Sequence, residues 1–302
     1  MNRFLALSRT SHGVLELATP AFCALLLLGG LPHWSIILIS VFTAFAGYTA
    51  IYALNDIVGM VVDREKFATS EMNAGYSVEA SELRYPLARN ILSFNQAIWW
   101  MGIWFALALA GSYILNPVII FILIAATLLE VVYCLLLKVT YLRTFISGLV
   151  KVSGPIAAVF VVTSNPPLSS LLLLFGWLFF WEIGGQNVPA DWNDTVEDKR
   201  VNAKTIPIHF GNEKAGVIVV STLVVTVITS AFLPTISPVN LGIPYIAASL
   251  IIGYIFLLQP ALQLNKTKQG RDAARLFDKA SYYPVAQFVL IAVSLAIINL
   301  WR

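Results

Sequence analysis

Two acidic stretches carry the residue types and spacing for chemistry. The first is Asn55-Asp56-Ile57-Val58-Gly59-Met60-Val61-Val62-Asp63-Arg64, with two aspartates seven residues apart. On a continuous helix that separation returns both side chains to one face. The second is Asp191-Trp192-Asn193-Asp194-Thr195-Val196-Glu197-Asp198, where offsets of 3, 4 and 7 align three aspartates. Each stretch ends an apolar run, so each places carboxylates at a helix C-terminus, where the macrodipole is already negative and like charges one turn apart repel. A cationic partner is needed. Carboxylates with a few waters are the ligand set of Mg²⁺, which commonly completes its shell with phosphate oxygens. Two such clusters facing one another would hold metal on a diphosphate and neutralise the charge that builds as a carbon–oxygen bond breaks. A lone cluster would read as a solvated helix end. The repetition argues otherwise, because two intramembrane-edge clusters each lead into a long polar connection.

The elements that must position these residues are membrane helices. The 302-residue chain is 58% hydrophobic and 12% charged, with a mean hydropathy of +0.79, which excludes a soluble core. Windows of roughly 20 apolar residues, enough to cross a bilayer, recur along almost the whole chain. They predict an all-α integral membrane protein with nine spans, near Val14–Gly30, Ser35–Leu54, Phe94–Ile114, Pro117–Leu137, Phe145–Thr163, Ser169–Gln186, Gly216–Phe232, Ile243–Gln263 and Tyr283–Leu300. Residues 1–302 form a single membrane domain, with cap segments near 63–93 and 187–215. With the N-terminus inside, every Lys and Arg except Lys151 and the terminal Arg302 falls on the cytoplasmic side. The positive-inside rule then sets N-in and C-out, and a plasma membrane is expected because no organellar transit segment is visible. The glycines form no phosphate-cradling loop, the serines and histidines form no nucleophilic triad, and nothing points to nucleic acid. Cys23 and Cys134 read as core residues, without metal or disulfide spacing.

The two stretches resemble the paired aspartate motifs of the UbiA superfamily of membrane prenyltransferases. Asn55, Asp56 and Asp63 look like its N-D-x-x-D-x-x-x-D motif, and Asp194 and Asp198 like its D-x-x-x-D motif. Asn202-Ala203-Lys204-Thr205-Ile206-Pro207 is similar to the family's G-x-K-T-x-P, and Tyr133 through Lys138 to Thr140 to its Y-S-x-x-L-K-R-x-T. The resemblance implies two four-helix bundles around a central cavity, the diphosphate under the cytoplasmic connections and the isoprenoid tail in a lateral opening. It also implies Mg²⁺-dependent transfer from a prenyl diphosphate to a lipophilic, aromatic acceptor. Gly59 stands where the motif has its middle aspartate, Val139 stands where the family has arginine, and Phe67–Asn90, with Glu71, Glu79 and Glu82, replaces a basic, proline-containing segment. Two alternatives stay open: a terpene cyclase of the same superfamily, and a non-catalytic binding or transport protein on the same scaffold.

On this reading Asp63, Asp194 and Asp198 hold metal, with Asn55, Asp56 and Asp191 completing or orienting the shell. Lys138, Lys204 and Arg143 are candidates for diphosphate oxygens. Lys151 lies two turns inside a span, where a charge costs at least ~2.5 kcal/mol unless it faces a polar cavity or a partner. It is expected to meet the diphosphate or to pair with Glu130 or Glu182. Glu182, with Gln186 one turn on and Asn187 beside it, could orient an acceptor hydroxyl. The tryptophans Trp99, Trp100, Trp104, Trp177 and Trp181, with Phe179 and Phe180, either flank a carbocation or serve packing and the membrane interface. His12, His33 and His209 share no ligand spacing and read as incidental, and Ser77, Glu79 and Glu82 suit a short cap helix.

Overall fold

The computed structural model describes residues 2–67 and 85–300. The proposed cap helix at Ser77, Glu79 and Glu82, with Glu71, therefore lies outside the described residues. Among those described, no strand occurs, and nine helices are long and apolar enough to cross a membrane. They run over Thr10–Leu28, Trp34–Lys66, Phe94–Leu115, Val118–Lys138, Arg143–Val162, Leu168–Asn193, Ile206–Ser230, Gly242–Thr267 and Gly270–Leu300. We refer to them as the first to ninth spans. The spans expected from hydropathy are all present, but the second, sixth, seventh and ninth reach further into the polar connections. The reason is physical: hydropathy ends where hydrocarbon ends, whereas a helix continues as long as its backbone bonds are satisfied.

That extension positions the acidic stretches. The helix of the second span is unbroken from Trp34 to Phe67, about 50 Å at 1.5 Å per residue, well beyond a hydrocarbon core of about 30 Å. Asn55 to Lys66 thus sit beyond the apolar slab. The sixth span is less regular. Its helix passes through a π-helical segment, Glu182–Asn187, continues as Val188–Asn193, and bends at Asp194 into Thr195–Arg200. π-bulges insert a residue into the turn and often mark functional sites. A β-carbon on Gly184 would collide with the Thr222 hydroxyl and crowd the Val219 carbonyl, so glycine is what lets the bulged turn press against the seventh span. The segment expected as a polar connection from 187 to 215 is therefore mostly helix.

The main core lies between the first, fifth, sixth, seventh, eighth and ninth spans, around Phe22, Trp177, Trp181 and Tyr283. Its two buried indoles are satisfied internally: Trp177 Nε1 donates to Tyr283 Oη at 3.0 Å and Trp181 Nε1 to the Ala280 carbonyl at 3.1 Å. Inside a bilayer an unmet donor has no water to turn to. A smaller core packs the N-terminal Leu7 against Ala53, Ile57 and Ala97, closed by Leu87 and Leu92 from the turn that precedes the third span. That span starts with a capping box, Ser93 Oγ accepting from Gln96 N–H and Gln96 Oε1 from Ser93 N–H.

Candidate active site

A cavity of about 610 Å³ runs through the bundle, lined by the first six spans and the ninth. Its size suits a small-molecule site. One end is apolar, with Ile36, Ile37, Leu123 and Val161 among its walls. Leu31 and Val41, at its edge, are 70% and 49% exposed, so the apolar lining reaches the outer surface of the bundle. The other end is the acidic mouth. Asn55, Val58, Gly59, Val62, Asp63 and Lys66 form one stripe of the second span, and Ala190, Asp191, Asp194 and Asp198 line the facing wall, with Asn187, Gln186 and Glu182 deeper along the same helix.

The two stretches meet through a lysine. Lys66 Nζ, one turn past Asp63, contacts Asp198 Oδ1 at 2.6 Å, and Arg200 Nη1 donates back to the Lys66 carbonyl at 3.3 Å. Asp191 Oδ1 accepts from Arg143 Nη1 at 3.0 Å, and the guanidinium lies 4.0 Å over the Tyr133 ring. Burial raises the Asp198 carboxyl above the usual aspartate range, opposed mainly by the Lys66 ammonium. Asp63 bends back over Gly59, its Oδ2 3.0 Å from where a β-carbon would stand. The room that an aspartate side chain would need at position 59 is thus partly taken by Asp63 itself.

Most residues singled out in the sequence are brought together here. Asp63, Asp191, Asp194, Asp198, Asn55, Lys138, Arg143, Lys151, Glu182, Gln186 and Asn187 all line the cavity. Asp56 and Lys204 do not. Asp56 turns off the stripe to an ion pair with Arg9 at 3.3 Å, the same guanidinium that donates to Asn55 Oδ1 at 3.2 Å. Asn55 Nδ2 donates in turn to Glu130 Oε1 at 2.5 Å. Lys204 is exposed outside the cavity, its backbone N–H bonded to the Leu137 carbonyl at 2.7 Å. Lys138 lies at the rim, paired with Glu65 at 2.6 Å.

Lys151 meets Glu182, one of the two partners expected, at 3.7 Å from Oε2, but pairs more closely with Glu16; Glu130, the other, is bonded to Asn55. Two expectations need correcting. His12 is not incidental, for its Nε2 lies 2.8 Å from Glu16 Oε1 in a buried pair on the cavity wall. Cys134 is a cavity-lining residue next to Asn55 Nδ2, at 3.4 Å, and not plain core. Of the tryptophans and phenylalanines proposed as cation neighbours none lines the cavity; Tyr48, Tyr52, Tyr85, Tyr133, Phe277 and Phe288 do. Of the cavity's residues, Arg9, Lys66, Tyr48, Tyr52 and Tyr85 are ones that sequence reasoning does not single out. The spacing Asp63–Lys66 was visible, but only folding shows that the ammonium reaches the other motif.

The donor set fits a hard cation. The mouth offers carboxylate oxygens from two helices, and Asp191 Oδ2 receives no hydrogen bond. Among the described residues, no three carboxylate, histidine or cysteine groups form a ready-made metal cluster. Mg²⁺ does not require one, since it typically takes one or two carboxylates and fills its shell with water and phosphate.

The family model described as the UbiA prenyltransferase family matches residues 17–295. The chain belongs to the UbiA prenyltransferase family. No curated protein matches it at a significant level. Among solved structures it is similar to a UbiA homolog from Archaeoglobus fulgidus bound to DMAPP and Mg²⁺, with 16% identity and a TM-score of 0.68 over 96% of this chain and 99% of that one. It is also similar to the apo UbiA homolog from Aeropyrum pernix K1, with 15% identity and a TM-score of 0.72 over 95% and 98%. A third structure, from work on digeranylgeranylglyceryl phosphate synthase in membranes, has 18% identity and a TM-score of 0.64 over 97% and 98%. At these identities the likeness establishes the UbiA fold, an all-helical membrane bundle around a central cavity.

Proposed function

We propose that the protein transfers a prenyl group from a prenyl diphosphate to a lipophilic, aromatic acceptor within the membrane, in a Mg²⁺-dependent reaction. The observation that carries this is the meeting of both acidic motifs at one mouth of a cavity whose other end is apolar. A diphosphate needs the first feature and an isoprenoid tail needs the second. The Archaeoglobus homolog bound to DMAPP and Mg²⁺ supports the same ligand pair here.

In this reading Asp63, Asp194 and Asp198 hold magnesium, with Asp191 and Asn55 orienting the shell. Bound there, the metal would withdraw charge from the diphosphate as it leaves. Arg143, Lys138 and Lys66 stand ready to hold phosphate oxygens through charge-assisted hydrogen bonds, Arg143 with its planar fork. Their charge is worth most in the transition state, when negative charge has moved onto the diphosphate. Below the mouth, the rings of Tyr52 and Tyr133 border the path of the allylic carbon and stabilise positive charge through their π faces. The apolar walls keep bulk water from quenching it. With the basic side inward, the mouth faces the cytoplasm.

Replacing Asp198 tests the proposal. In membranes supplied with prenyl diphosphate and an aromatic acceptor, Asp198→Ala should abolish transfer while expression stays intact. Full retained activity would overturn the reading. Release of pyrophosphate without any acceptor, with a cyclic hydrocarbon as product, would instead indicate a cyclase.

A further inference from the structure

A second polar site lies deeper in the same cavity. Glu182 precedes Asp191 by nine residues, so it sits roughly 12 Å further along the helix from the acidic mouth. Around it gather Glu16, His12, Lys151 and Ser147, all on the cavity wall. Lys151 lies between Glu16 and Glu182, and Ser147 Oγ donates to Glu182 Oε1 at 2.6 Å. Two acids share one lysine there, with the His12 ring on Glu16. None of these contacts is needed to bind a diphosphate at the mouth.

On the sixth span the unmet side-chain atoms are all acceptors. Glu182 Oε2, Gln186 Oε1 and Asn187 Oδ1 receive no hydrogen bond, although the three side chains are only 4%, 3% and 4% exposed. The Gln186 amide has a defined sense, because its Nε2 donates to the Phe277 carbonyl at 3.3 Å and to Ser281 Oγ at 3.2 Å. Buried polar atoms without partners are rare and costly. The π-helical turn is what brings Glu182 and Asn187, five residues apart, onto one wall. Water can serve these oxygens in the resting protein. A substrate that displaces the water must bring donors of its own or leave them bare. A carboxylate brings none, and it would approach Glu182 and Glu16 with only Lys151 between them.

We infer that this wall is the head-group site for the second substrate, and that it takes an uncharged hydroxyl, donated to Glu182 and Gln186, in preference to a carboxylate. The inference rests on the transferase reading and adds the chemistry of the acceptor. A single ring with its hydroxyl at Glu182 would extend its far edge toward Asn187 and the mouth, where the allylic carbon is released.

Four probes of matched chain length decide it: a 4-alkylphenol, an alkanol, a 4-alkylbenzoate and an alkylbenzene. Their equilibrium binding is measured on the wild-type protein in nanodiscs without prenyl diphosphate. The phenol, the alkanol or both should bind at least about tenfold more tightly than the benzoate and the alkylbenzene. The phenol-to-alkanol ratio tells whether the hydroxyl belongs to a ring or a chain. In Glu182→Leu the preference should vanish, and in Glu182→Gln it should survive in part, since a carbonyl oxygen remains. Benzoate binding as tight as phenol, no binding of any probe, or an unchanged preference in Glu182→Leu would overturn the inference. If Glu182→Leu does not fold, the wild-type ranking decides alone. Magnesium-dependent binding of prenyl diphosphate to the wild type is a separate measurement, so failure of the donor reading and failure of the acceptor site are distinguishable.

Discussion

The two acidic motifs look alike in sequence and behave differently in space. The first lies on an uninterrupted helix and presents Asp63 to the cavity, while Asp56 leaves the stripe for Arg9. The second lies on a helix that bulges at Glu182–Asn187 and bends at Asp194, and it presents Asp191, Asp194 and Asp198 together. A regular helix turns about 100° per residue, so a side chain just off the stripe is available to any competing partner. An irregular helix can re-aim successive residues at one point. The second motif therefore holds most of the mouth's negative charge, and the first supplies one carboxylate plus Lys66, a counter-charge directed at the second.

Substitutions can break or sharpen this asymmetry. The largest effect is expected at the second motif: Asp194→Ala should lower prenyl transfer in membranes by at least about a hundredfold, with expression unchanged. A loss no greater than that of Asp63→Ala would mean that the motifs contribute equally. Next comes the bulge. Gly184→Val drives a branched side chain into Thr222 and the Val219 carbonyl, which should cost about 1–3 kcal/mol and lower transfer by about tenfold as Glu182 and Asn187 are re-aimed. A melting curve in detergent beside a rate measurement would separate the two losses. Gly59→Asp adds a second carboxylate to the first stripe, next to Asp63 Oδ2. The magnesium concentration for half-maximal rate should then fall by about threefold; a rise would show that crowding by Asp63 outweighs the added ligand. The smallest effect on turnover is expected from Asp56→Asn, within about twofold. It should nonetheless lower the melting temperature, because a nearly buried ion pair with Arg9 is lost, a charge-assisted bond worth about 2 kcal/mol.

Much of the fold was legible in the linear chain, because the requirement that drives it is local. Apolar runs of about 20 residues must be helices in a bilayer, where every backbone donor needs an internal partner, and nine such runs could be counted without any tertiary knowledge. The acidic motifs were equally legible, since carboxylates at helix ends announce themselves by charge and spacing. Helix ends were read less well: the second span continues to Phe67 because a polar sequence can extend a helix that hydropathy cannot see.

What only the tertiary structure decided is pairing. The sequence by itself determined that the chain carries nine runs long and apolar enough to cross a membrane and two acidic clusters resembling those of the UbiA family. It did not determine that Lys151 would find Glu16, that Lys66 would reach Asp198, or that Asp56 would turn to Arg9. These partners are separated by 135, 132 and 47 residues in the chain. In a low-dielectric interior each buried charge must find a counter-charge, yet several candidates are always within reach by composition. Which one is met depends on how helices cross and bulge, and no local spacing encodes that.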